Sequence, residues 1–196
     1  SADGTSTYSA VKSTIPLTTP TLSATVSSGK VKLSWGAVTG ATKYWIYRST
    51  DGTNFSYYDS TTKTSYPNGS VTAGNTYYYK VKAIKTVGST EWVSDYSVAK
   101  SVKVLKAPTL SISKTAGKVK LSWGAVDGAV KYYIYRSTDG TNFKYYDSTT
   151  STSYTNGSVT SGTKYYYKVK AVNNADGASA YSAVKSTIPM STPTLS

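Results

Sequence analysis

The ten residues "GKVKLSWGAV" occur at positions 29–38 and again, unchanged, at positions 117–126. Within "VKLSW" the apolar residues Val31, Leu33 and Trp35 alternate with polar ones. This period of two places the apolar side chains on one face of an extended strand and the polar side chains on the other. The stretch therefore predicts a β-strand with one buried face, present twice in the chain.

Two further segments recur at the same spacing of 88 residues: "IYRSTDGTNF" at 46–55 and 134–143, and "YYYKVKA" at 77–83 and 165–171. Beyond them the spacing falls to 85, because the segment 84–97 has 14 residues and its counterpart 172–182 has 11. A length change confined to one place indicates a surface loop. Each repeat is long enough to be one domain.

The remaining segments of a repeat also predict strands and turns. In "KYWIYR" Tyr44 and Ile46 fall on one face, and Trp45 and Tyr47 fall on the other. The "DGTN" segment at 51–54 predicts a turn between strands, because Asp-Gly readily supplies the positive φ of tight hairpins. Several short, half-buried strands joined by such turns indicate an all-β protein built as antiparallel sandwiches.

These motifs together resemble the fibronectin type III domain. The resemblance rests on the Pro-led "PTLS", the "LSW" strand, the "GA..Y.IYR" strand and "GNTYYYKVKA", which follow one another in the family's order. It implies two tandem immunoglobulin-like β-sandwiches, of the kind found in surface and secreted proteins of Gram-positive bacteria. It also implies that Tyr77 and Tyr165 form tyrosine corners, in which a phenol hydrogen-bonds back to the chain. The family's integrin-binding Arg-Gly-Asp loop is absent.

The chain begins and ends on nearly the same phrase, "YSAVKSTIPLTTPTLS" at 8–23 and "YSAVKSTIPMSTPTLS" at 181–196. In the second repeat, residues 179–189 occupy the place of the last strand, so we expect the first copy to be the last strand of a preceding repeat. The predicted organisation is an orphan strand at 1–16, a linker at 17–19, domain 1 at 20–104, a linker at 105–107, domain 2 at 108–189, and the start of a following repeat at 190–196. We further expect residues 6–15 to be extended and paired with a domain of another copy.

The charge balance is strongly basic, with 22 Lys and Arg against 9 Asp and Glu and a net charge of +13. Two interpretations remain open: binding of an anionic cell-wall polymer, or lysines that keep sheet faces soluble and edges unpaired. We do not expect nucleic acid as a partner, because all but two of the cations are lysines and no recognition element is evident. No run of apolar residues is long enough to span a membrane.

The composition argues against catalysis. Cys and His are absent and Glu occurs once, which removes the usual metal ligands and the commonest acid–base residue. The recurring aspartates sit where turns favour Asp. We therefore expect no enzyme activity, no catalytic or metal site and no cofactor.

One sheet face is the candidate binding site, because its aromatic side chains alternate with lysines. Such rings could stack on sugars while the ammonium groups meet acidic substituents; alternatively the rings only pair across strands and stabilise the sheet. The predicted residues of this face are Trp45, Tyr47, Tyr78 and Lys80 in repeat 1, with Tyr133, Tyr135, Tyr166 and Lys168 in repeat 2.

Three functions fit these features. The first is a structural spacer or stalk in a larger extracellular or wall-attached bacterial protein, since near-identical repeats are joined by short Pro-containing linkers that stiffen a joint. The second is a module that binds a glycan or cell-wall polymer through the aromatic–lysine face. The third is an accessory module of a glycan-degrading enzyme whose catalytic domain lies elsewhere.

Overall fold

The computed structural model describes residues 16–115, 117–173 and 177–190, and these residues are folded into β-strands joined by turns. The first repeat contains β1 (Leu22–Ser27), β2 (Lys30–Trp35), β3 (Lys43–Ser49), β4 (Ser56–Thr61), β5 (Ser65–Asn68), β6 (Thr76–Val87), β7 (Thr90–Val93) and β8 (Lys100–Lys103). The second contains β9 (Ser111–Thr115), β10 (Lys118–Ser122), β11 (Lys131–Ser137), β12 (Lys144–Thr149), β13 (Ser153–Asn156), β14 (Tyr165–Asn173), β15 (Gly177–Ala178) and β16 (Lys185–Thr187).

Each repeat is a sandwich of two antiparallel sheets. In the first sandwich the sheet β1-β2-β5 packs on the sheet β4-β3-β6, with β7 and β8 both paired to β6. In the second, β9-β10-β13 packs on β12-β11-β14, with β15 and β16 both paired to β14. The two repeats thus have the same topology, as their shared motifs predict.

Alternating apolar residues fill the space between the sheets. Leu33 of β2 and Ile46 of β3 are fully buried, and Trp35 meets the Tyr44 ring edge-on with centroids 5.3 Å apart. The second sandwich repeats this core with Leu121, Ile134 and the Trp123–Tyr132 pair. The one-sided burial predicted for these strands is confirmed.

The tyrosine corners form in both sandwiches. The backbone N–H of Thr72 donates to the Tyr77 phenol oxygen at 2.8 Å, and that of Thr160 donates to the Tyr165 phenol at 3.0 Å. Each bond spans the corner that leads into the long strand β6 or β14 and supplies a partner for a backbone donor that would otherwise lack one.

The last strand of the second sandwich is shorter than the sequence predicts. In the second sandwich only β16 is regular, and residues 179–184 run beside β14 without forming a strand. Serine hydroxyls account for the difference. Ser179 and Ser182 each donate a backbone N–H to β14 and accept a β14 N–H on the hydroxyl oxygen, which replaces the ladder between two backbones.

The leucines of the predicted linkers belong to the cores. Leu105 is buried in the second core, and Leu17 packs against the first core. The predicted orphan strand, apart from Pro16, and the predicted pairing of residues 6–15 lie outside the described residues, as do residues 191–196 of the predicted following repeat.

The described part of the chain forms no helix that could cross a membrane.

Candidate functional site

The predicted aromatic–lysine face lies on the outer side of one sheet in each sandwich. We call these aromatic–lysine faces the Lys–Tyr faces. They contain Trp45, Tyr47, Tyr78, Lys80 and Lys82 in the first sandwich, and Tyr133, Tyr135, Tyr166, Lys168 and Lys170 in the second. In the first sandwich β3 pairs with β6 so that Trp45 lies opposite Lys82 and Tyr47 lies opposite Lys80. Tyr78 lies on the same face, opposite Ser49. The sequence-predicted residues are therefore brought together.

The second sandwich repeats the arrangement with one ring changed. Tyr133, in the place of Trp45, lies opposite Lys170, and Tyr135 lies opposite Lys168. Tyr166 lies opposite Ser137 on the same face. The chain therefore carries two closely similar faces, one in each sandwich.

Additional rings that the sequence reasoning missed complete each face. Tyr57 of β4 contacts both Trp45 and Tyr47 edge-on, with centroids 6.2 and 6.0 Å away. Tyr96, from the segment before β8, meets Tyr47 edge-on at 4.9 Å. In the second sandwich Tyr145 and Tyr181 take the same positions around Tyr135.

In the first sandwich, the rings that the sequence did not predict are more exposed than the predicted ones. Tyr57 is 56% exposed, its counterpart Tyr145 is 55% exposed and Tyr96 is 41% exposed. The eight residues singled out from the sequence are all half-buried. The "YYDS" segment at 57–60 could have indicated a further ring on this face. The contact between Tyr57 and Tyr47, however, depends on a β-bulge between Ile46 and Tyr47 that shifts the register.

The lysines lie over the rings. Lys82 Nζ is 4.0 Å from the Tyr96 ring centroid, and Lys80 Nζ is 4.2 Å from that of Phe55. In the second sandwich Lys168 Nζ lies 4.1 Å from the Tyr181 centroid and 4.3 Å from that of Phe143. These are cation–π distances.

Among the described residues, the ion pairs lie away from the centre of these faces. Within the described ranges two ion pairs occur, Lys43–Glu91 and Lys103–Asp127, and neither includes a lysine from the centre of a Lys–Tyr face. The faces therefore combine positive charge with partly exposed rings.

Burial raises the pKa of the Tyr47 phenol above its ordinary value, and its contact with Tyr96 adds to the effect. Burial likewise raises the pKa of the Tyr181 phenol, next to Tyr135. These phenols are therefore neutral at physiological pH, and they do not cancel the positive charge of the lysines beside them.

The turn beside each face is fixed by its aspartate. Asp51 accepts hydrogen bonds from the Ser49 hydroxyl at 2.6 Å and from the backbone N–H groups of Thr53 and Asn54. These bonds hold the pKa of its carboxyl well below the ordinary range. Gly52, at φ +82°, lies under the Tyr78 ring, which explains why the turn uses glycine there.

Asp51 and its counterpart Asp139 thus serve the turns. The other recurring aspartates, Asp59 and Asp147, do not sit in turns as the sequence predicts but lie in β4 and β12, where they accept hydrogen bonds from the Tyr66 and Tyr154 hydroxyls. Among the described residues, no group of three or more His, Cys, Asp or Glu is placed to hold a metal ion.

Comparison with known sequences shows two relatives named as enzymes. The chain is 50% identical over 68 residues to an amylopullulanase of Thermoanaerobacter thermohydrosulfuricus and 29% identical over 191 residues to exoglucanase B of Cellulomonas fimi. These matches cover 34% and 88% of this chain. The chain spans only 5% and 17% of the lengths of those relatives. No family model matches the sequence.

Comparison with solved structures addresses the fold. The crystal structure of the chicken CNTN1 FN1–FN3 domains matches 89% of this chain and 68% of its own, with a TM-score of 0.51 and 17% sequence identity. Together with the sheet topology and the tyrosine corners, this similarity shows that the chain folds as tandem fibronectin type III β-sandwiches.

Proposed function

We propose that this segment is a non-catalytic spacer module of a larger extracellular bacterial protein that acts on glycans. The observation that carries the proposal is the pair of relatives: both are named as glycan-degrading enzymes, and this chain matches only a small part of each. A fibronectin type III fold supplies a rigid surface, and its function has to be argued from the site it carries. The described residues offer no cluster of the kind used in metal-assisted hydrolysis.

The contacts between the sandwiches suit a spacer. Lys103, at the end of β8, pairs with Asp127 in the loop before β11. Val26, near the end of β1, meets Gly177 at the start of β15. Both contacts involve residues at strand ends and turns, and none of the Lys–Tyr face residues takes part in them.

Small-angle scattering on the intact chain tests the spacer proposal. We expect an elongated particle whose longest dimension exceeds that of one sandwich by about the length of a second. A compact particle, with the sandwiches folded side by side, would contradict it. The complete gene provides a separate check, since it should encode a glycan-active domain in the same polypeptide.

A second candidate function is binding of acidic glycans or phosphate-containing wall polymers by the Lys–Tyr faces. Two observations favour it. Tyr57 and Tyr145 are exposed. Lys80 and Lys168, on the same faces, lie over aromatic rings. A tyrosine ring of this kind can pack against the apolar face of a sugar, while the ammonium groups attract its anionic substituents. Two faces in one chain would add avidity if both could reach the same polymer.

Retention on purified Gram-positive cell walls tests this second function. The double variant Tyr57→Ala/Tyr145→Ala should lose retention, and Tyr57→Phe/Tyr145→Phe should keep it because the rings remain. Lys80→Gln/Lys168→Gln should make any remaining retention less sensitive to salt. Equal retention of the alanine and wild-type chains, or no retention of the wild-type chain, would leave the faces with a packing role only.

A further inference from the structure

The two sandwiches are joined by a backbone bridge far from the linker in sequence. Val26 of β1 and Gly177 of β15 form a parallel pair, which makes β1 a neighbour of β15 in one sheet. An edge strand such as β1 presents unpaired backbone groups that another strand can bind. Here the strand comes from the second sandwich.

Only glycine fits at position 177. Its φ is +109°, a conformation that other residues rarely adopt. A Cβ added there would overlap the carbonyl oxygen of Val26 and lie 3.0 Å from its carbonyl carbon. Because these are backbone atoms of a paired strand, they cannot move aside as the end of a long side chain could.

The corresponding hairpin of the first sandwich carries a tryptophan at that place. In the first sandwich Lys85 of β6 pairs with Trp92 of β7. In the second sandwich Asn173 of β14 pairs with Gly177 of β15. The adjacent pairs, Ile84–Val93 and Val172–Ala178, correspond in the same way. Trp92 is therefore the counterpart of Gly177, and its side chain is 39% exposed. A tryptophan cannot approach a strand edge as closely as Gly177 approaches Val26.

Further contacts surround the bridge. A Cβ on Gly29 would lie in ordinary contact, 3.5 Å, with the Ala180 side chain. Across the linker, Lys103 pairs with Asp127, and this contact lowers the pKa of the Asp127 carboxyl. The linker residue Leu105 is itself buried in the core of the second sandwich.

We propose that Gly177 is the docking determinant that locks the two sandwiches into one rigid unit, by allowing the β14–β15 hairpin to bind the free edge of β1. The partner of this surface is the first strand of a neighbouring sandwich of the same type. The β6–β7 hairpin, which has Trp92 at the equivalent position, cannot bind such an edge in the same way. This inference is independent of the spacer and glycan proposals.

Backbone 15N relaxation on the intact chain tests the proposal. In the wild-type chain both sandwiches should tumble with one rotational correlation time. In Gly177→Ala the two correlation times should separate and fall by up to about twofold, since sandwiches that are not docked move independently. Gly88→Ala is the matched control, because Gly88 also has a positive φ, +60°, but a Cβ there meets nothing within 4 Å. It should tumble like the wild type.

A second variant avoids any strain within the hairpin. Asp127→Lys places two like charges at the joint and should also loosen it, and the exposed position of Asp127 should let the second sandwich keep its fold. Its control is Glu91→Lys, which breaks the Lys43–Glu91 pair inside the first sandwich and should leave tumbling unchanged. Separate correlation times in the wild type, or unchanged tumbling of a folded Gly177→Ala, would overturn the proposal. Equal loosening by Gly88→Ala would do the same.

Discussion

The side-chain amide of Asn68 donates a hydrogen bond of 2.9 Å to the phenol oxygen of Tyr79, and both residues are buried in the first sandwich. The side-chain oxygen of Asn68, Oδ1, accepts two more hydrogen bonds, from the Tyr58 hydroxyl at 3.0 Å and from the Ser70 backbone N–H at 2.9 Å. One side chain thus links strands β4, β5 and β6 and the loop that follows β5. Asn156 makes the corresponding bonds in the second sandwich.

Replacing Asn68 should destabilise the first sandwich strongly. Asn68→Ala leaves the buried Tyr79 hydroxyl and the Tyr58 hydroxyl without this partner, which costs about 1–3 kcal/mol for a buried polar group. Urea unfolding followed by the loss of native Trp fluorescence measures the change. Thr62→Ala, at an exposed position, serves as the control and should change the free energy of unfolding by less than about 0.5 kcal/mol. Equal midpoints for the two variants would contradict the role of Asn68.

The tyrosine corners should each contribute measurably to stability. Tyr77→Phe removes the oxygen that accepts the Thr72 N–H, and we expect a loss of about 1 kcal/mol in the free energy of unfolding. Tyr165→Phe should cost a similar amount in the second sandwich. Tyr57→Phe, at an exposed ring, provides the control. The prediction fails if all three variants unfold at the same urea concentration.

Stability should fall at acidic pH because of the two Asp-Gly turns. Hydrogen bonds from the Ser49 hydroxyl and the turn backbone lower the pKa of the Asp51 carboxyl, and the Ser137 hydroxyl does the same for Asp139. A carboxyl whose pKa is lower in the folded state adds stability above the unfolded value, about 4. That stability is lost progressively as the pH falls from this value through the folded pKa.

Thermal unfolding between pH 2 and pH 6 measures this dependence. The double variant Asp51→Asn/Asp139→Asn should show a shallower decline of the melting temperature below about pH 4. Asp95→Asn, which replaces an exposed aspartate outside both turns, is the control and should retain the wild-type slope. A double variant with the full wild-type slope would show that other carboxyls dominate the acid response.

The sequence predicted the sandwiches because local chemistry determines them. Alternation places Val31, Leu33 and Trp35 inward, and all three are buried. The placement of Trp45 and Tyr47 on the opposite face from Tyr44 and Ile46 also follows from the period of two.

Features that depend on contacts between distant segments were not predicted. The bulge at Ile46 and Tyr47 decides which β4 ring meets Tyr47, and strand alternation does not reveal a bulge. The bridge from Val26 to Gly177 joins two different sandwiches, and no local pattern around either residue indicates it. The sequence places Leu105 in a linker because it adjoins "KAP", but its side chain is buried in the core of the second sandwich.

The two arginines of the chain should not be replaceable by lysine, although every other cation is a lysine. Arg48 donates through Nη1 to the carbonyl of Ser70 at 3.0 Å while its guanidinium stacks on Tyr58, 4.1 Å from the ring centroid, and lies 5.4 Å from the Tyr77 centroid. A planar guanidinium can stack and donate at once, whereas a lysine ammonium is a point charge that cannot keep both contacts in this geometry.

Arg136 holds the same position in the second sandwich, bonded to the Ser158 carbonyl at 2.9 Å and stacked on Tyr146. We therefore expect Arg48→Lys and Arg136→Lys each to lower the free energy of unfolding of their own sandwich by about 1 kcal/mol. The reverse exchange Lys63→Arg, at an exposed position in the turn after β4, should have no measurable effect. Urea unfolding of the three variants distinguishes a requirement for the guanidinium plane from a requirement for charge alone. Since all three changes conserve charge, wild-type stability in Arg48→Lys would mean that charge is sufficient at this position.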